Sequence, residues 1–91
     1  MKLKLTVREF NENDVNSECP FSPSIDDFKI YMNAFSEDLN NLESISNVSI
    51  DHTEIEITLK NKVTESHFKG QLKIILSSFS CMIVFVSLRI E

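Results

Sequence analysis

The residues able to do chemistry are few and far apart. His52 and His67 are the only histidines, and Cys19 and Cys81 the only thiols. Ser66 directly precedes His67, but consecutive residues on a helix do not face each other, so the pair is not a nucleophile with its base. A catalytic cysteine would need a histidine brought to it by the fold, and Cys81, set in an apolar run, reads as a small buried hydrophobe. Metal-ligand spacings are missing as well: there is no closely spaced cysteine pair and no His-x-x-x-His. The Asn11–Glu18 segment has the oxygen ligands of a calcium loop without its glycine. Gly70 is the sole glycine, so no Gly-rich phosphate cradle can form. Catalytic, cofactor and metal residues are therefore left unassigned, and the chain is expected not to be an enzyme.

Charge says more than these groups do. The net charge is −5, but residues 9–56 hold twelve carboxylates against one cation, Lys29. That half stands at −11, while the first eight residues and residues 57–91 carry +3 each. A surface so acidic weighs against nucleic acid and against an anionic membrane, and it suits a basic protein.

The elements that must carry this charge can be read in order. Leu3, Leu5 and Val7 alternate with Lys4, Thr6 and Arg8, the period-two pattern of a strand with one buried face. A polar loop is expected from Glu9 to Ser22. From Ser24 to Glu43 the apolar residues Ile25, Phe28, Met32, Phe35, Leu39 and Leu42 recur at spacings of three and four, one stripe along a long helix. Either Ser22 caps it with Pro23 in the first turn, or Ser24 caps it with Asp27 three residues on. Both place Asp26 and Asp27 at the positive end of the helix dipole, which accounts for that carboxylate pair without a metal.

Val48 and Ile50, then Ile55, Ile57 and Leu59, predict two antiparallel strands joined around Asp51-His52-Thr53 by a turn somewhat longer than the tightest hairpins. Thr64 is a candidate cap for a second helix whose inner face is Phe68, Leu72, Ile75, Leu76 and Phe79. The last strand runs from Cys81 to Ile90. The uncharged run Ile74–Leu88 is too short and too serine-rich to span a bilayer.

Strand, helix, strand, strand, helix, strand in a 91-residue chain predicts a single α+β domain over residues 1–91. Its expected form is a two-layer β-α-β-β-α-β sandwich of the ferredoxin-like kind, a four-stranded antiparallel sheet with both helices on one face. Right-handed crossovers put the first and third strands in the middle. The open sheet face then shows Lys2, Lys4, Thr6 and Arg8 beside Glu54, Glu56, Thr58 and Lys60, with no aromatic for stacking bases. Ile83 and Phe85 are expected to be the only apolar residues on that face.

The functional expectation follows from the long helix. Opposite its apolar stripe lie Asp26, Asp27, Ile30, Asn33, Glu37, Asp38 and Asn41, an acidic and amide-bearing face with one apolar residue at its centre. Carboxylates that steer and a central apolar residue that anchors are the parts of a protein interface. The expected function is an intracellular inhibitor or immunity-type protein that neutralises a basic partner such as a nuclease or toxin, needing no cofactor. The alternative is an assembly subunit that homodimerises through Ile83 and Phe85. No leader-like segment precedes the cysteines, so free thiols in the cytoplasm are expected and the sequon Asn47-Val48-Ser49 carries no meaning.

Overall fold

A computed structural model spans residues 1–91 and describes all of them apart from the side chain of Ile25. The order is β1 (Lys2–Glu9), a 3-10 turn (Glu12–Asp14), α1 (Ile25–Asn40), β2 (Ile45–Asp51), β3 (Glu54–Leu59), α2 (Glu65–Ser77) and β4 (Ile83–Ile90). The four strands form one antiparallel sheet in the order β2-β3-β1-β4. This is the α+β, ferredoxin-like β-α-β-β-α-β arrangement, with β1 and β3 central and β2 and β4 at the edges.

The core forms where period two meets period 3.6. Leu3, Leu5 and Val7 of β1 and Ile55, Ile57 and Leu59 of β3 are buried, and they meet Met32, Phe35 and Leu39 of α1 and Phe68 and Leu72 of α2. Each such side chain contributes about 1.5–3 kcal/mol on full burial. Phe35 and Phe79 pack edge to face at 5.5 Å, so a ring from α1 meets one from just beyond α2.

Local chemistry fixes the helix starts. The Ser24 hydroxyl accepts from the Asp27 N–H at 3.2 Å, which selects Ser24 over Ser22 as the cap of α1. Thr64 Oγ1 accepts from the His67 N–H at 3.1 Å in the same way. The end of α1 falls at Asn40, short of Glu43; Asn41 is the C-cap, its N–H donating to the Glu37 carbonyl. Leu42 still packs on the core from beyond the helix. Ser44, the one described polar residue buried in the interior, donates to Gln71 Oε1 at 2.6 Å and so ties the corner after α1 to α2.

Three further sequence-based expectations are corrected. The β2–β3 connection is a two-residue turn, with Asp51 opposite Glu54 and only His52 and Thr53 between them. His52 enters the left-handed region at φ 55°, a conformation histidine adopts more readily than most residues, so the tight hairpin closes without Asn-Gly.

The polar segment after β1 is a loop, as expected, and its own side chains organise it. Asn11 caps the 3-10 turn, accepting from the Asn13 N–H at 2.9 Å while its own N–H donates to Asp14 at 3.0 Å. Asn16 Oδ1 accepts from the N–H groups of Glu18 and Cys19.

Cys19 and Cys81 are not free thiols; they form a disulfide with a Cα–Cα distance of 5.4 Å. The segment after β1 folds back along the turn that precedes β4, where the Phe10 N–H donates to the Met82 carbonyl at 3.3 Å, and this brings together two cysteines 62 positions apart. With the bond in place, the thiols no longer speak for a reducing compartment.

Finally, Ile83 and Phe85 do not lie on the open sheet face. Against β1, Ser87 pairs with Thr6 and Phe85 with Val7, leaving Val86 as an extra residue. One extra residue inverts the in-and-out alternation on its far side. Ile83 is therefore buried, and Phe85 sits on the helix side beside Leu72 and Leu88.

Candidate functional site

The outer face of α1 is built by helical spacing alone. Ile30 has Asp26 and Asp27 one turn before it, Asn33 and Ala34 one turn after, and Glu37, Asp38 and Asn41 further on. Asp26, Asp27, Ile30, Asn33, Glu37, Asp38 and Asn41 are all exposed, so the structure brings together the whole predicted set. Ile30 is 62% exposed, which makes it a free apolar knob in a field of carboxylates and amides. Tyr31 is half-buried at the border of this face, its ring packed on the core.

The field survives folding. Two of the twelve carboxylates in residues 9–56 enter ion pairs: Asp14 with Arg8 at 2.7 Å, and Glu54 with Lys4 at 3.4 Å. The other ten have no cation within ion-pair distance among the described residues. The Asp14 carboxyl is held well below its usual range. The Arg8 guanidinium grips both its oxygens, the Asn11 N–H adds a further hydrogen bond, and its carboxyl is lowered to about 2. The same contact raises the Arg8 guanidinium. This pair fastens the 3-10 turn to β1 and takes no part in the α1 face.

A feature the sequence did not show lies beside that face. Phe28 and Met32 of α1, with Asn33, line a groove of about 380 Å³ against Ile50, His52 and Thr53 of the hairpin. Helical spacing placed Asn33 on the acidic face, but the hairpin's approach depends on the left-handed turn at His52, which no periodicity reveals. The candidate face thus has a convex part around Ile30 and a concave flank that runs to His52.

The groups first weighed for chemistry remain dispersed. His52 lies exposed in the hairpin turn and His67 exposed in the first turn of α2, while both sulfurs are consumed in the disulfide. Among the described residues no three His, Cys, Asp or Glu side chains are placed to hold a metal, and no helix is long and apolar enough to cross a membrane. No known protein family, characterised protein or solved structure matches the chain, so its own geometry is what speaks for its function.

Proposed function

We propose that the protein is a non-enzymatic binding module whose acidic α1 face docks on a basic protein, in the manner of an inhibitor or immunity-type protein that covers the cationic groove of a nuclease or toxin. The observation that carries this reading is the exposed Ile30 set among Asp26, Asp27, Glu37 and Asp38, none of them in an ion pair within the described chain. Carboxylates held free in this way act at long range and accelerate encounter, while Ile30 and the groove toward His52 supply the short-range fit. Steering and anchoring then belong to different residues and separate in kinetics.

The test is stopped-flow association with a basic partner recovered by affinity capture from the native source. The on-rate is expected to fall by about tenfold or more between low and high salt. Replacing Asp27 and Glu37 by lysine lowers the on-rate, whereas Ile30→Ala acts on the off-rate. An on-rate indifferent to salt, or binding unchanged in all three variants, removes the α1 face from the function.

A further inference from the structure

One motif in the chain has no part in the α1 face. Asn47-Val48-Ser49 is the acceptor pattern of N-linked glycosylation, with valine and not proline at its middle position. In a chain with free thiols, held in a reducing compartment, the pattern would stay silent. Here both sulfurs are joined in the Cys19–Cys81 disulfide. Such bonds form and persist on the oxidising route through secretion and are rare in the cytosol. Asparagine is glycosylated on that same route, so two features that share no residue and lie on different elements agree on one compartment.

The fold also gives the motif a place from which a bulky polar chain can leave. Val48 and Ile50 of β2 pack against the core, so the alternation of the strand turns Asn47 and Ser49 to the open sheet face, opposite Thr58 and Glu56 of β3. Both residues are exposed. β2 is an edge strand, with no strand of the sheet beyond it. The helices cover the opposite face, so Asn47 is directed away from Ile30 and its carboxylates.

We propose that Asn47 is an N-glycosylation site and that the protein folds on the secretory route. In the transfer, Asn47 Nδ2 attacks the anomeric carbon of an oligosaccharide carried on a lipid diphosphate. The new C–N bond forms as the C–O bond to the diphosphate breaks; the lipid diphosphate leaves with the electron pair and Nδ2 gives up one proton. Asn47 and Ser49, two apart on an extended chain, project to the same side, which lets one enzyme hold the hydroxyl while it works on the amide. The glycan would stand over the β2 edge beside Ser49 and Asp51 and keep a foreign strand from adding there. The α1 face stays clear, so the inference neither needs nor alters the docking proposed for it.

The test is mass spectrometry of the protein purified from its native source without reductant. The intact mass is expected to exceed that of the disulfide-bonded polypeptide by an oligosaccharide, and peptide-N-glycosidase to remove the excess and leave aspartate at position 47. In the same host, Asn47→Gln and Ser49→Ala abolish the excess, whereas Ser49→Thr keeps it. Alkylation before lysis is expected to leave Cys19 and Cys81 unlabelled. A peptide spanning Asn47 found only in unmodified form overturns the inference. So does a mass excess that survives Asn47→Gln, which lies on another residue. Labelling of both cysteines before lysis overturns it as well, because it assigns the chain to a reducing compartment.

Discussion

The two sides of this small sandwich use opposite means to meet their surroundings. On one side, α1 and β2 present carboxylates, amides and serines, with Ile30 as an isolated apolar point. On the other, α2 and β4 present leucines, phenylalanine and valine with lysine and arginine around them. The difference comes from topology acting on a charge pattern laid out along the chain. Of the twelve acidic residues from Glu9 to Glu56, the eight from Asp26 onward travel together through α1, β2 and the start of β3, while Glu9, Glu12, Asp14 and Glu18 stay with β1 and the segment that folds back toward β4. The split β-α-β order then sends β2 to one edge and β4 to the other, so for those eight a linear segregation of charge becomes a spatial one. A modest net charge of −5 conceals a molecule with two unlike flanks.

One covalent bond joins the flanks, and breaking it is expected to have the largest effect on stability. Cys19 belongs to the segment leading into α1, and Cys81 to the turn leading into β4. Replacing both by serine frees a loop closed over 62 positions and is expected to lower unfolding free energy by about 2–4 kcal/mol, measured by urea denaturation. If the proposed α1 face works independently of the bond, the variant keeps its salt-dependent association under native conditions. Loss of the salt-dependent association at α1 in a protein still folded would show instead that the bond positions the acidic side.

That bond also marks where sequence reasoning reached its limit. The helical stripe, the candidate caps and the outer face of α1 were readable because each follows from spacing within one element, and the strand order because crossover handedness leaves few arrangements. Thr64, and Ser24 as one of two candidates with Ser22, were named by what a hydroxyl can do three residues ahead of an N–H, and both do it. The failures lie where one element depends on another. Val86 is an extra residue only in relation to β1, and its consequence, the inward turn of Ile83 and Phe85, cannot be seen in the alternation of β4 alone. Cys19 and Cys81 meet because the segment after Phe10 folds back toward Met82, and the left-handed turn at His52 is set by the pairing of β2 with β3. For the same reason Ile30 and its acidic neighbours were foreseen, but the groove running to His52 was not.

A smaller effect is expected on the α2 side, where the helix carries a weakness unrelated to binding. Gly70 is exposed in mid-helix, and a methyl group there would meet nothing within 4 Å. Glycine costs helical backbone entropy that alanine does not, so Gly70→Ala is expected to raise stability by about 0.5–1 kcal/mol. Thermal unfolding reads this directly. The gain should be the same at low and high salt, because no charge is involved; a loss of stability would mean that Gly70 serves a contact or a motion of α2.

At the turn after β1 the smallest effect is also the most conditional, since it depends on pH. Arg8 holds the Asp14 carboxyl at about 2, against an ordinary value near 4 for aspartate. A carboxyl lowered on folding stabilises the folded state above its unfolded value, and that contribution fades as pH falls from about 4 toward 2. Asp14→Asn should therefore lower stability near neutral pH and converge with the natural protein by about pH 2. Both groups lie at the surface, so the difference should also shrink as salt is added. Carbon-detected titration of Asp14 gives an independent reading, with a midpoint near 2 expected. A midpoint near 4 would release the 3-10 turn from β1 and leave the capping contacts of Asn11 and the disulfide to hold that loop in place. The salt responses then distinguish an ionic contribution from a backbone one without any partner present: stabilisation at Asp14 is screened, and the gain at Gly70 is not.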